Sequence, residues 1–340
     1  LILCEFNFEL FIYKHKMDQK YQISTDKYNI IELIGIGGRN LVYLVENSIN
    51  EKKYVAKIST KEQTTEDELR QFYDEIQVFS KVNNPAIMTF IGYSLKNFDH
   101  KNHPIIFMEY MQNRSLAYIL EQERKFRSPP RLTISMKYMN LLGIANGMKY
   151  LHSQNIIHAE LRPSNILLDD EFRPHINNFF YSKAKKKDLI SIKAEVGYEG
   201  IYYISPEILK GQEYDLKTDI YSYSLIFYEI ITGKQAYFNS NETIEIESIL
   251  NGKRPDTSII ENKEIIQFLE KCWSNDPKER PSFDDVINFL CDPAFYSQYK
   301  ISMQQPKIYP KLFQSKPIQF LNQTDPSQNE QPTKITITNT

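Results

Sequence analysis

Between residues 28 and 57 the chain carries three short β-rich runs, NIIELIG, NLVYLVEN and KKYVAKIS, separated by Gly-rich or polar turns. Runs of this length and make-up, bounded this way, predict three consecutive antiparallel strands. The period then changes: over residues 65–82, Leu69, Phe72, Ile76 and Phe79 recur at three- and four-residue spacing, which predicts one helix crossing the sheet. Two further runs, IMTFIGYSL and PIIFMEYM, add a fourth and a fifth strand. Past Gln112 the signal is mainly helical, in SLAYILEQE, SMKYMNLLGIANGMKYLHSQ, TDIYSYSLIFYEIITG, KEIIQFLEKCW and FDDVINFLCD. The pattern therefore predicts an α+β protein with an N-terminal extension over 1–27, a five-stranded antiparallel lobe with one helix over 28–111, and a mainly helical lobe over 112–295. From Ile301 onward Gln, Asn, Thr and Pro dominate with little apolar periodicity, so 296–340 reads as a largely disordered tail.

Composition narrows this picture. The chain has 340 residues, enough for a two-lobed unit of roughly 260 residues with flanking segments. Lys and Arg number 41 against 43 Asp and Glu, so there is no basic excess of the kind that nucleic-acid binding needs. Cys4, Cys272 and Cys291 are widely spaced and form no C-x-x-C pair, which points away from a disulfide framework or a zinc site and toward a reducing, cytoplasmic compartment. The apolar opening LILCEFNFELFIY is interrupted by Glu5 and Glu9 and is too short to span a bilayer. It reads as an edge strand or amphipathic segment, with a membrane-facing role as the alternative and Met17 as a second candidate start.

Several short motifs bear on chemistry. The turn between the first two strands reads Gly35-Ile36-Gly37-Gly38-Arg39-Asn40-Leu41-Val42. Glycines there let backbone N–H groups approach phosphate oxygens and tolerate positive φ; an ordinary hairpin is the plain alternative. The third strand carries Val55-Ala56-Lys57 and the helix carries Glu75, which taken singly are surface charges. Phe107-Met108-Glu109-Tyr110-Met111 ends the fifth strand and, alone, is a buried strand leading into a loop. Further on come I-H-A-E-L-R-P-S-N over 157–165, Ile176-Asn177-Asn178-Phe179-Phe180, Ser205-Pro206-Glu207, Asp219 in TDIYSYS and Arg280 in DPKERPSF.

In this order and spacing, over residues 28–292, the motifs resemble those of the protein kinase superfamily. The wording of 157–165 and of the strand-five hinge, GYS after the fourth strand and CW-x-x-D-P-x-x-R-P near the end resemble the tyrosine-kinase-like group of Ser/Thr kinases. The resemblance implies a bilobal kinase fold with ATP in the cleft and protein substrates or partners. It implies that Gly35, Gly37 and Gly38 cover the phosphates, that Lys57 contacts them while pairing with Glu75, and that Met108, Glu109 and Met111 form the hinge that holds adenine. Val42 and Val55 above and Leu167 below would pack the adenine faces. Glu160, Arg162 and Asn165 would be the catalytic set, Asn165 and Asn178 the metal positions, Glu207 and Arg280 a buried ion pair, and Phe79, Phe90, His158 and Phe179 the stacked regulatory spine.

The departures from the family pattern are as informative as the matches. Most kinases read H-R-D-L-K-P-x-N where this chain has Ala159, Glu160 and Arg162 for the arginine, aspartate and lysine. Glu160 keeps a carboxylate but moves its oxygens by roughly 1 Å, a misplacement that can cost on the order of 100-fold in rate. Asn178 and Phe180 stand for the Asp and Gly of D-F-G, and Asn40 for the third loop glycine. An amide at 178 brings no charge to Mg²⁺, and Phe180 disfavours the backbone flip that switches many kinases. Ala159 removes the arginine that holds a phosphorylated activation segment, although Ser182, Ser191, Tyr198, Tyr202 and Tyr203 remain as acceptors. The basic run over 183–187 reads as a solvated loop, with a docking patch for an acidic partner as the alternative. The expectation is a pseudokinase that binds ATP weakly or moderately, holds Mg²⁺ poorly, transfers phosphate poorly or not at all, and acts as an allosteric or scaffolding signalling protein. The alternative is an active Ser/Thr kinase in which Glu160 is the base and Asn165, with water, holds the metal.

Overall fold

The computed structural model describes residues 19–62, 66–126, 132–179, 200–237 and 245–298. The apolar opening, Met17, Phe180, Ser182, the 183–187 run, Ser191, Tyr198 and the tail past 298 lie outside the described residues. Strands β1 (Tyr28–Ile36), β2 (Asn40–Asn47), β3 (Lys53–Ser59), β4 (Phe90–Ser94) and β5 (Ile105–Glu109) form one antiparallel sheet in the order β1-β2-β3-β5-β4. Helix α1 (Glu66–Phe79) lies between β3 and β4 in the chain.

The period of two in β3 explains how sheet and helix meet. Tyr54, Ala56 and Ile58 face one way, packing with Tyr28, Val45, Ile105 and Phe107. Val55 faces the other way and joins Leu69, Phe72, Ile76 and Phe79 of α1 in the main core. Lys57, two residues on from Val55, shares that helix-facing side. Ile23 also packs against the sheet, its N–H donating to the Tyr93 carbonyl at 2.8 Å.

The second lobe is mainly helical: α2 (Leu116–Phe126), α3 (Ile134–Ser153), α4 (Pro206–Leu209), α5 (Lys217–Thr232), α6 (Ile246–Leu250), α7 (Lys263–Cys272), α8 (Phe283–Leu290) and α9 (Pro293–Gln298). A short hairpin of β6 (Ile166–Leu168) and β7 (Pro174–Ile176) lies between α3 and α4. Every residue of α5 from Thr218 to Ile230 is buried, the polar Thr218, Asp219, Ser222, Ser224 and Glu229 included, so the helix runs through the interior of the lobe. It stops at Gly233, whose φ of 69° suits glycine and whose N–H caps the Glu229 carbonyl at 2.8 Å. The bidentate pair expected between Arg280 and Glu207 is formed, with Nη1 to Oε1 at 2.6 Å and Nη2 to Oε2 at 2.9 Å. No helix among the described residues is long and apolar enough to cross a membrane.

Candidate active site

The cleft between the lobes is built from both. On the sheet side Lys57 donates to Glu75 of α1 at 2.7 Å, with 12% and 4% of their side chains exposed. Val55 and Met108 are buried partners across β3 and β5, and Val42 sits opposite Lys57 on β2. Leu167, on β6, packs against the core from the other lobe. Met111 is 6% exposed, and its N–H makes no hydrogen bond among the described residues. An orphan backbone donor at a cleft between apolar walls fits the edge of a purine base.

One expectation for the glycine-rich turn needs correction. None of Gly35, Gly37 and Gly38 sits at positive φ. The turn is closed by the Gly37 N–H, which donates to Asn40 O at 2.8 Å, and Asn40 already pairs with Ser59 as the first residue of β2. Asn40 thus fills an ordinary strand position at the third-glycine place.

The loop at 157–165 is anchored from below. Asp219, fully buried in the first turn of α5, accepts the N–H of His158 on Oδ2 and that of Ala159 on Oδ1, each at 2.9 Å. This clamp holds Ala159 at a φ of 61°, a left-handed conformation that costs a non-glycine residue about 1–2 kcal/mol. Burial pushes the His158 imidazole below its ordinary pKa, so the ring is neutral. Its Nε2–H donates to the Asn177 carbonyl at 3.0 Å, and its Nδ1 accepts the Glu160 N–H at 3.2 Å.

Glu160 is 4% exposed and both of its oxygens are engaged. The Asn178 Nδ2 donates to Oε2 at 2.7 Å, and the Arg162 Nη2 lies 3.2 Å from Oε1. Burial pushes the carboxyl pKa up, with Arg162 and Lys57 pulling against it. Asn178 has a φ of 72°, which asparagine tolerates, and its Oδ1 accepts from Lys57 Nζ at 3.3 Å. A continuous polar chain thus runs from Glu75 through Lys57, Asn178 and Glu160 to Arg162. Next to it, Phe90 stacks on Phe79 at 5.6 Å, Phe79 meets Phe179 edge-on at 4.9 Å, and Phe179 lies 5.5 Å from His158. This aromatic column joins the lobes and fixes the residue beside Asn178.

A magnesium ion does not fit this donor set. Both ends of the Asn178 amide are engaged, the oxygen by an ammonium and the nitrogen by a carboxylate, and the Asn165 Nδ2 donates to the Glu160 carbonyl at 2.8 Å. At nucleotide sites Mg²⁺ is ordinarily bound through one or two protein carboxylates plus the substrate phosphates, and neither of these amides is a carboxylate. Among the described residues no group of three or more His, Cys, Asp or Glu is placed to hold a metal.

Two features were invisible in the sequence reading. One is the Asp219 clamp, since the sequence offers that residue only as one motif match, with no partner. The other is a cavity of about 710 Å³ between α2, the 157–165 loop and the end of α5, lined in part by Arg124, Arg162, Tyr203 and Glu229. Glu229 accepts from the Tyr203 hydroxyl and from the Ala236 N–H at 3.0 Å, with Arg124 Nη1 at 3.5 Å, and burial pushes its carboxyl pKa up. An acid within the largely apolar run SLIFYEII of α5 is the available signal.

The family model for protein tyrosine and serine/threonine kinases matches residues 29–290. A probable serine/threonine-protein kinase of Dictyostelium discoideum is 30% identical over 240 residues, covering 68% of this chain and 17% of the relative. A putative serine/threonine-protein kinase/receptor of Acanthamoeba polyphaga mimivirus is 30% identical over 275 residues, covering 79% of this chain and 15% of its own length. A dual specificity protein kinase of Dictyostelium discoideum is 30% identical over 276 residues, covering 80% of this chain and 19% of its own. The chain thus spans less than a fifth of each of these relatives.

Proposed function

We propose, for a chain that belongs to the protein tyrosine and serine/threonine kinase family, a nucleotide-binding domain that transfers phosphate far more slowly than an ordinary member and acts by engaging signalling proteins. In this reading it is a pseudokinase of the tyrosine-kinase-like group, a placement supported by the motif wording of its catalytic loop and hinge. The observation that carries the reading is the capture of Glu160. A general base must reach the proton it removes, and here Asn178 and Arg162 occupy both carboxylate oxygens of a buried side chain. Asn178, for its part, offers no negative charge to neutralise a cation on the phosphates.

The nucleotide half of the reading is supported by what is intact: the Lys57–Glu75 pair, the apolar walls at Val42, Val55, Met108 and Leu167, and the orphan Met111 N–H. A folded cleft with a partner-facing surface can bias another protein without catalysing, because a ligand that favours one conformation shifts its population. The rival reading is an active Ser/Thr kinase using Glu160 as base. It is favoured by the same ion pair and by the complete aromatic column, both features of a productive arrangement.

Nucleotide binding itself is tested by thermal shift. ATP at about 100 times its Kd is expected to stabilise the wild-type protein by about 2.7 kcal/mol. Lys57→Met removes the cation facing the phosphates and is expected to abolish most of that shift. An ATP shift in Lys57→Met equal to that of the wild type would contradict the placement of the phosphates at Lys57.

A further inference from the structure

We propose that this site takes its nucleotide free of divalent cation, an inference that rests on the nucleotide-binding reading above. The charged groups along the polar chain are Glu75, Lys57, Glu160 and Arg162, two of each sign, and they cancel. A carboxylate at position 178 would add one uncompensated negative charge facing a triphosphate, and a bridging cation is the usual means of relieving that repulsion. The amide of Asn178 removes the need.

It also removes the place. The Asn178 oxygen accepts from the Lys57 ammonium at 3.3 Å, so a cation seated on that oxygen would lie against a like charge. The amide nitrogen is turned to Glu160 at 2.7 Å and presents hydrogens, which repel a metal, on its other side. Glu160 cannot substitute, because Arg162 and Asn178 hold its two oxygens. Asn165 turns its N–H to the Glu160 backbone and is left with a single neutral oxygen as a potential ligand. Lys57 therefore stays as the cation that meets the phosphates, and magnesium in solution competes for the nucleotide rather than recruiting it.

The test is titration of the protein with a fluorescent ATP analogue, once with Mg²⁺ and once with EDTA. Binding is expected in EDTA, with a Kd at least as tight as the apparent Kd measured with Mg²⁺. Asn178→Asp, shown to be folded by its melting curve, is expected to bind about tenfold more weakly in EDTA and to recover with Mg²⁺. Wild-type binding that is lost in EDTA and present with Mg²⁺ overturns the cation-free inference and leaves the nucleotide reading standing. Absence of binding in both conditions overturns both. The wild-type comparison stands on its own should the variant fail to fold.

Discussion

Restoring aspartate at both altered positions, Glu160→Asp with Asn178→Asp, is expected to raise Mg²⁺-dependent ATP affinity and to raise γ-phosphate transfer at least about 100-fold above wild type. The two substitutions repair different parts of the site. Shortening the side chain at 160 withdraws the carboxylate by roughly 1 Å, away from the Asn178 and Arg162 contacts. A carboxylate at 178 supplies the anionic oxygen that a metal between the phosphates needs and breaks the amide bridge that now holds residue 160. Because the two residues touch, their effects couple, and the double variant is expected to exceed the product of the singles. Single-turnover transfer of labelled phosphate, with and without Mg²⁺, checks this. A double variant no faster than wild type would place the limiting defect elsewhere, with Asn40 and Phe180 the next positions to change.

Arg280→Ala is expected to be the most destabilising single substitution in the second lobe, costing about 3–5 kcal/mol. Arg280 is 1% exposed and Glu207 is 6% exposed, so truncation leaves a buried carboxylate without its counter-ion. The guanidinium also donates to Ser274 O at 3.0 Å and Lys217 O at 3.1 Å, and its carbon lies 5.3 Å from the Tyr221 ring centre. Those carbonyls join the α7–α8 connection to the start of α5, and the loss is expected to lower the melting temperature by on the order of 10 °C. Arg280→Lys keeps the charge and loses the fork, and should fall between. Chemical denaturation gives the number directly. A loss below about 1 kcal/mol would mean that the pair is hydrated in solution like a surface bridge.

The fold was legible wherever a period had room to repeat. The strand runs of the sheet and the long helices α3, α5 and α7 span enough residues for spacing to show, and they lie where the pattern put them. Helices α4, α6 and α9 are four to six residues long, under two turns, and no spacing could reveal them. The glycine-rich turn was read through backbone freedom, and the structure closes it with a hydrogen bond from Gly37 to Asn40 instead.

The site divides along another line. Which residues stand at which motif positions is a property of chain order, so Lys57, Glu75, Glu160 and Asn178 could be named from sequence. How they treat one another is not. The hydrogen bond from Asn178 to Glu160 joins two loops. Sequence suggested two independent defects; the contact makes them one latch, in which each altered residue holds the other. The Asp219 clamp was hidden for the same reason, since its partners lie about sixty residues away along the chain.

The central claim is that this cleft binds nucleotide and scarcely uses it. The most direct measurement is transfer of labelled γ-phosphate by the purified wild-type protein beside Lys57→Met, with ATP and Mg²⁺ and a general protein substrate. Wild-type incorporation is expected to be at least about 100-fold below the ordinary kinase range and close to that of Lys57→Met. Turnover in the ordinary kinase range, about 1–100 s⁻¹, that disappears in Lys57→Met would contradict it.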